Sequence, residues 1–293
     1  MDARTTLTPT PLGLDAVARR LLPTPLRNLP FYAVSGIVAV IFLFPLVWAA
    51  FASVSATAGS SQETGYGIGN YQSLWDWQDG LPTYFLNTAE LSCMTVIFTL
   101  VVSLLGGYAF AKFDFPFKNV IFMGTLAILM VPVATMIIPL LILLKTIGLQ
   151  DSLLGMALVM AMFQLPFATF MMRVSMEAVP RELEEAAQVD GCGTFGVFRR
   201  ILLPAVRPAA VTVALFAFLA AWNDFLTPLV LINTSNREPL ALAMTVMREQ
   251  SIGIINYGAL ESGVVVMALP CLLLFFALQG QYVRGFMSGA IKG

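Results

Sequence analysis

The amino-acid sequence predicts an all-α polytopic membrane protein with six transmembrane helices. Of the 293 residues, 58% are hydrophobic and only 11% are charged, and the mean hydropathy is +0.82. Soluble domains average about 45–50% apolar and about 25% charged residues. Several apolar runs reach the roughly 20 residues that a helix needs to cross the hydrocarbon core of a bilayer. The chain is therefore expected to cross a membrane several times.

Each of six apolar segments is expected to form one membrane-spanning helix. They cover residues 30–53, 84–112, 119–144, 152–176, 209–232 and 258–283. The domain organisation that follows is a tail over residues 1–29 and a transmembrane domain over residues 30–293. Within that domain we expect one large loop over residues 177–207, between the fourth and fifth spans, and another over residues 233–257, between the fifth and sixth.

The positions of the basic residues predict the orientation of the spans. Thirteen of the 16 lysine and arginine residues fall on one side of the membrane. They are Arg4, Arg19, Arg20, Arg27, Lys112, Lys118, Arg173, Arg181, Arg199, Arg200, Arg207, Arg284 and Lys292. Only Lys145, Arg237 and Arg248 fall on the other side. Because loops rich in lysine and arginine stay in the cytoplasm, both termini and the 177–207 loop are expected to be cytoplasmic.

The composition argues against a catalytic or metal-binding chain. There is no histidine, which removes the commonest metal ligand and the usual general base. The three cysteines, Cys93, Cys192 and Cys271, are too widely spaced to suggest a metal site or a disulfide framework. No glycine-rich phosphate loop ending in Gly-Lys-Ser or Gly-Lys-Thr occurs, so ATP binding by that device is not expected. An intramembrane enzyme is the least favoured class.

A charged island separates the fourth and fifth apolar segments and reads EEAAQVDGCGTFGVFRRILLP over residues 184–204. Good helix formers precede Gly191, and glycine is typical of a left-handed helix end. After the turn, Phe195, Phe198 and Ile201 or Leu202 recur at helical spacing and predict one apolar face. The island is therefore expected to form a helix–turn–helix, which we call the bracket. Periodicity alone leaves open an ordinary loop that packs on its own bundle.

The bracket sequence resembles the EAA motif of the inner-membrane permease subunits of bacterial ABC importers. That motif reads E-A-A, two residues, D-G-A, and then F, I and L-P in order. The residues that match it in place are Glu185, Ala186, Ala187, Asp190, Gly191, Phe198, Ile201, Leu203 and Pro204. Cys192 stands where alanine is usual, which is a small substitution. The resemblance implies that these residues form the coupling helix, which seats in a groove of the ATPase subunit.

Three further segments resemble the carbohydrate, maltose-type branch of these permeases. They read GYAFAKFDFPFK at the end of the second span and in the link that follows it, AWNDFLTPLVL in the fifth span and SGAIKG at the C-terminus. The resemblance implies a type I ABC importer transmembrane fold in the bacterial plasma (inner) membrane, with a sugar or oligosaccharide as the transported substrate. The implied mechanism is alternating access driven by closure of the ATPase subunits.

The resemblance also implies the partners. These are nucleotide-binding ATPase subunits, a second and non-identical permease, an extracytoplasmic sugar-binding protein and membrane lipid, with no nucleic acid. No cofactor is expected in this chain, and ATP and Mg²⁺ are expected on the partner ATPase.

Asn223 and Asp224 lie near the middle of the predicted fifth span. Polar groups are costly inside a bilayer and face the bundle interior or water, so these two residues are expected to line the translocation path or its gate. Hydrogen bonding between helices is the alternative. The rival function is an ion-gradient-driven secondary transporter or channel. That class is expected to show paired ionisable residues at mid-membrane and inverted repeats, and neither is clear in the sequence.

Overall fold

The computed structural model describes residues 29–56, 64–249 and 255–290, and side chains over 31–56, 64–249 and 255–279. Over these ranges the chain is built from helices, and one isolated antiparallel bridge joins Ser55 to Tyr66. The predicted all-α class is confirmed. The predicted tail over residues 1–29 falls almost wholly outside the described residues, as do the side chain of Arg284 and all of Lys292.

The chain divides into two compact units, Met1–Phe51 and Ala52–Gly293. The described part of the first unit belongs to helix α1 (Leu29–Val54), whose last residues enter the second unit. The other helices lie in the second unit. They are α2 (Gly69–Trp75), α3 (Leu81–Lys112), α4 (Lys118–Ala127), α5 (Val133–Thr146), α6 (Leu153–Glu177), α7 (Arg181–Val189), α8 (Thr194–Ala205), α9 (Arg207–Asn223), α10 (Leu226–Leu231), α11 (Leu240–Glu249) and α12 (Tyr257–Ala290).

Four of the described helices are long and apolar enough to cross a membrane unaided, and up to six spans result if each of two bent pairs counts as one. The four cover Phe31–Val54, Leu81–Lys112, Leu153–Glu177 and Tyr257–Gln279. The bent pairs are α4 with α5 and α8 with α9. Six predicted spans agree with this upper count. The ends of α1, α3 and α6 and the start of α12 lie within three residues of the predicted ends, whereas α12 continues to Ala290, beyond the predicted end at residue 283.

The third predicted span is not one straight helix, and this corrects the sequence prediction. α4 continues as a 3₁₀ turn to Met130, and α5 then begins at Val133 after a bend of 108°. Proline lacks a backbone N–H and excludes the preceding residue from helical geometry. Val131, which precedes Pro132, is accordingly extended, with φ −87° and ψ 123°. The apolar run hides this break because hydropathy continues through it.

The fifth predicted span is also interrupted. α9 ends at Asn223, Asp224 is extended with φ −74° and ψ 130°, and the short helix α10 follows. Leu226 N–H donates to the Asp224 carboxylate at 2.9 Å, and Thr227 N–H donates to the same oxygen at 3.4 Å. A carboxylate that accepts the free N–H groups of a first turn stabilises a helix start. Asp224 therefore ends one helix and begins the next.

Helix α3 is the central element of the second unit and packs against both α6 and α9. Five of its small hydroxyl residues lie on one face and are fully buried; they are Thr88, Ser92, Thr95, Thr99 and Ser103. One turn further, Gly107 faces α6 so closely that a Cβ there would lie 2.4 Å from Met172 Cβ. Small residues allow the backbones of membrane helices to approach each other, and this face of α3 therefore packs tightly.

The predicted 233–257 loop folds back onto the bundle. Its helix α11 buries Leu240, Ala243 and Met244 in a cluster that includes Tyr84 of α3. Leu240 N–H donates to Thr88 Oγ1 at 2.8 Å. The Asn87 amide donates to the backbone carbonyls of Asn236 at 2.9 Å and Glu238 at 3.0 Å. This end of α3 is therefore hydrogen-bonded to the segment that leads into α11.

Candidate functional site

The first arm of the bracket is α7, and it ends at Gly191 as predicted. Gly191 has φ +86°, a conformation that glycine adopts without the penalty of a Cβ. The N–H of Cys192 donates to Ala187 O at 2.9 Å, and the N–H of Gly191 donates to Gln188 O at 3.0 Å. These two bonds form a Schellman motif. The motif closes α7 and turns the chain sharply into the second arm.

The second arm, α8, begins at Thr194 and contains a π-helical turn over Phe198–Leu202. π-helical turns are rare and occur frequently at functional sites. The chain then bends by 74° between α8 and α9. Pro208 lies in the first turn of α9, a position at which the missing N–H of proline removes no hydrogen bond. The second arm therefore stands at an angle to the span that follows.

The motif residues divide into an exposed set and an anchoring set. The exposed set consists of Glu185, Ala186, Asp190, Gly191 and Pro204. The anchoring set consists of the buried Ala187 and the half-buried Phe198, Ile201 and Leu203. A docking surface needs an exposed face and a rigid support. In the bracket, the exposed set provides the face and the anchoring set provides the support.

Phe198 attaches the second arm to the bundle. Its ring lies 5.1 Å from the ring of Tyr108 in the last turn of α3. It also packs against a buried cluster that includes Met176, Leu202 and Val206. Aromatic pairs at such distances add to the stabilisation that comes from buried area alone. The bracket is therefore held at the ends of α3 and α6.

Phe195 departs from the predicted apolar face. Its side chain is 73% exposed, whereas Val197 and Leu202 are buried. The arm buries Val197 and Leu202 and half-buries Phe198, so the face that packs differs from the predicted face at Phe195. Phe195 instead borders an open depression of about 300 Å³ between the turn and the second arm. The remaining residues around the depression are Asp190, Gly191, Cys192, Gly193, Gly196, Arg199 and Arg200.

A buried ion pair holds the first arm, and sequence reasoning missed it. Lys112 Nζ lies 2.5 Å from Glu184 Oε1, and the two side chains are 8% and 12% exposed. Lys112 also donates to the backbone carbonyl of Val179 at 3.0 Å. The sequence showed Lys112 only as one of many basic residues on one side. The apolar surroundings of Lys112 at the end of a span were the one available signal of burial.

Asn223 and Asp224 lie together at the break between α9 and α10. The Asn223 amide donates to Leu219 O at 2.8 Å within its own helix, and its side chain is exposed. Asp224 is half-buried and accepts the N–H groups that begin α10. Asp224 thus has a structural role at the break, while Asn223 presents a polar group beside it. Neither residue is close in sequence to the bracket, and no hydrogen bond or ion pair described here joins them to it.

The comparison with known protein families decides what kind of protein this is. Residues 100–286, from the second half of α3 into α12, match the model of the binding-protein-dependent transport system inner membrane component. The chain belongs to this family. The match includes the bracket, both broken spans and α11, so membership rests on the same segments that form the site. The chain is therefore a membrane-spanning permease subunit of a transport system that depends on a binding protein.

Relatives of this permease are similar over most of their length. The diacetylchitobiose uptake system permease protein DasC of Streptomyces coelicolor is 34% identical over 211 residues, covering 72% of this chain and 76% of the relative. The arabinooligosaccharides transport system permease protein AraQ of Bacillus subtilis is 32% identical, and the match covers 76% of this chain and 78% of the relative. The lactose transport system permease protein LacG of Rhizobium radiobacter is 29% identical, and the match covers 94% of this chain and 98% of the relative.

The permease also shares its fold with a solved ABC transporter. A chain from the crystal structure of a bacterial ABC transporter involved in the import of the acidic polysaccharide alginate superposes with a TM-score of 0.72. Sequence identity is 18%, and the match covers 93% of this chain and 99% of that chain. The predicted ABC importer transmembrane fold is confirmed by this likeness.

Proposed function

We propose that this chain is the permease subunit of an ATP-driven ABC importer for a sugar or oligosaccharide. The observation that carries the proposal is the bracket, whose exposed motif residues surround a rigid, glycine-ended turn. The substrate class is supported by three relatives named for diacetylchitobiose, arabinooligosaccharide and lactose transport. ATP and Mg²⁺ bind to separate ATPase subunits, and a second permease completes the path.

The bracket couples the ATPase subunits to the spans. Nucleotide binding changes a two-state equilibrium only through its different affinity for the two states. When ATP closes the ATPase subunits, a bracket seated in a groove of one of them moves with it. Glu185, Ala186, Asp190 and Gly191 form the docking face, and Phe198 transfers the displacement to the bundle. The spans then expose the path to the sugar-binding protein outside, and hydrolysis resets them.

The docking face requires the bracket to lie in the cytoplasm together with both termini. The distribution of lysine and arginine supports this orientation. The path itself includes the break at Asn223 and Asp224. Irregular backbone at membrane depth is tolerated only where protein or a water-filled cavity surrounds it, and the exposed Asn223 side chain then faces that cavity.

Purification of the tagged chain from its native membrane in mild detergent, followed by mass spectrometry, tests the proposal. We expect a nucleotide-binding subunit and a second permease to accompany the chain. Gly191→Val is expected to remove the ATPase subunit because a β-branched residue is strained at positive φ and alters the turn. Gly148→Val is the matched control, since Gly148 has φ +74° and open space around it but lies outside the bracket.

A chain that purifies alone, under conditions that preserve a known ABC complex, would contradict the proposal and favour the ion-gradient-driven transporter. If a binding protein co-purifies, its thermal unfolding is measured with diacetylchitobiose, lactose and arabino-oligosaccharides. A sugar that binds the folded state raises the unfolding temperature. A response to none of the sugars tested and to a different class of solute would contradict the sugar assignment while leaving the importer assignment in place.

A further inference from the structure

The C-terminal end of α3 contacts both arms of the bracket. Lys112 forms the buried ion pair with Glu184 of the first arm, at 2.5 Å. Tyr108, one turn earlier, packs its ring against Phe198 of the second arm at 5.1 Å. The bracket is therefore fixed to α3 at two points that lie on one side of the helix.

The ion pair is more than a surface contact. Exposed ion pairs contribute little because water and salt screen them, but Lys112 and Glu184 are almost completely shielded from solvent. Removing one partner of a buried pair leaves an uncompensated charge, which is strongly unfavourable. The second contact of Lys112, a hydrogen bond to the carbonyl of Val179 just beyond α6, attaches the same ammonium group to the end of that helix. Displacement of the first arm is therefore opposed unless α3 moves with it.

The opposite end of α3 is attached to the segment before α11. Thr88 and Asn87 make the hydrogen bonds to Leu240, Asn236 and Glu238 described above. Thr88 and Lys112 are roughly 36 Å apart along the axis, at about 1.5 Å per helical residue. The helix between them is continuous and packs closely on α6, so both attachments belong to one stiff element.

We propose that Lys112 and Glu184 are positioning residues that make α3 a strut between the bracket and the 233–249 segment on the far side of the membrane. The inference rests on the proposed docking of the bracket to an ATPase subunit. Movement of the first arm displaces α3 through the ion pair, and α3 then displaces the segment that begins at Asn236. The pair transmits the change of state without touching the nucleotide or the transported solute.

Cysteine labelling of the assembled transporter in nanodiscs tests the strut. Cys93, Cys192 and Cys271 are replaced by alanine, and one reporter is introduced at either Phe195→Cys on the bracket or Asn236→Cys at the far end. Both positions are exposed. Maleimide labelling rates are measured by mass spectrometry with and without a non-hydrolysable ATP analogue and Mg²⁺. The nucleotide is expected to change the rate at both reporters in the otherwise unaltered chain.

Lys112→Met is expected to reduce the nucleotide response at Asn236→Cys, without abolishing it because the Tyr108–Phe198 contact remains, and to leave the response at Phe195→Cys unchanged. Lys112→Arg keeps the charge and is expected to retain both responses. Lys118→Met is the matched control, because Lys118 Nζ lies 3.3 Å from Oδ1 of Asp114, whose side chain is 91% exposed. Both responses are expected to persist in this variant. If Lys112→Met does not assemble, Glu184→Gln replaces it, since it removes the charge but keeps an acceptor oxygen.

The two reporters separate failure of the strut from failure of the proposed function. A nucleotide response at Asn236→Cys that is as large in Lys112→Met or Glu184→Gln as in the otherwise unaltered chain would overturn the strut alone. No response at Asn236→Cys in the otherwise unaltered chain, with a response at Phe195→Cys, would also overturn the strut. No response at either reporter would overturn the docking of the bracket and the strut with it.

Discussion

Asp151 joins two turns that are distant in sequence. It lies between α5 and α6 with φ 53°, a conformation that aspartate tolerates better than most residues. Its carboxylate accepts the N–H of Asn233 at 2.8 Å, and the N–H and hydroxyl of Thr234 at 3.2 Å and 2.5 Å. Arg237 lies 3.4 Å from the same carboxylate. One acidic side chain thereby holds the segment that begins the 233–257 loop.

The contacts of Asp151 predict a pH-dependent stability. Burial acts to raise the pKa of Asp151, but the hydrogen bonds from Thr234 and Asn233 and the charge of Arg237 outweigh it and hold the pKa below its ordinary value of 3.8. A carboxyl group whose pKa is lowered by folding stabilises the folded state above its unfolded pKa, and this contribution is lost as the pH falls through the folded pKa. Asp151→Asn should therefore lower the unfolding temperature at neutral pH.

Thermal unfolding of the purified permease in detergent, followed from pH 7 downward, measures this effect. The difference in unfolding temperature between the unaltered chain and Asp151→Asn should stay constant down to about pH 4. It should narrow at lower pH, because an aspartate carboxylate begins to be protonated there. Asp114→Asn is the control, because Asp114 is almost fully exposed. A difference that is independent of pH down to pH 3 would show that the charge of Asp151 contributes nothing.

Two substitutions of Asp224 separate the effect of its hydrogen bonds from the effect of its charge. Asparagine can still accept a hydrogen bond from the N–H of Leu226, whereas alanine cannot. Loss of such a cap typically costs about 0.5–2 kcal/mol, so Asp224→Ala should unfold at a lower temperature than Asp224→Asn. If Asp224 acts only at the helix break, transport by Asp224→Asn should remain near that of the unaltered chain. A strong loss of transport by Asp224→Asn at normal stability would assign a further role to the charge in the path.

At the scale of helices, the close contact between α3 and α6 gives the sharpest prediction. A Cβ on Gly107 would meet Met172 Cβ at 2.4 Å and Arg173 N at 3.0 Å, whereas a Cβ on Gly106 would meet Thr169 at an ordinary 3.6 Å. Overpacking of this kind typically costs about 1–3 kcal/mol. Gly107→Ala should therefore lower the unfolding temperature, and Gly106→Ala, which adds the same methyl group to the same helix, should not. Equal effects of the two substitutions would contradict the close packing.

The sequence predicts the helices well because hydropathy and length are properties of each segment alone. The left-handed end at Gly191 was predicted for the same reason, since it depends on one residue and its neighbours. The breaks at Pro132 and Asp224 were missed because the apolar runs continue across them. Pro132 was nevertheless a usable signal, because proline disfavours helix in the residue that precedes it.

Long-range pairs were the other part that the sequence did not reveal. Lys112 and Glu184 are brought together only when α3 packs on α6 and the bracket folds against their ends. The exposure of Phe195 depends in the same way on how the second arm packs against the ends of α3 and α6. Local patterns therefore predicted the motif and its turn, while tertiary packing determined how the motif is anchored.

At the scale of the whole molecule, the charged contacts of the second unit lie near the two opposite ends of α3. Near the bracket end of α3, Lys112 pairs with Glu184, and the Arg173 guanidinium lies 4.2 Å from the ring centroid of Phe122. At the far end, Arg237 contacts Asp151. Moving lysine or arginine through the bilayer centre is costly, so we expect the more basic face to stay in the cytoplasm during insertion.

Single-cysteine labelling in intact cells tests the orientation that follows. A membrane-impermeant maleimide should label Asn236→Cys directly, and it should label Asp114→Cys only after the cells are permeabilised. The natural cysteines are replaced, as in the strut experiment, and both reporter positions are exposed. The reverse pattern would place the bracket outside the cell, where no ATP-bound subunit could dock on Glu185, Asp190 and Gly191. The orientation therefore also tests the proposed coupling, because a bracket on the outer face could not contact an ATPase subunit in the cytoplasm.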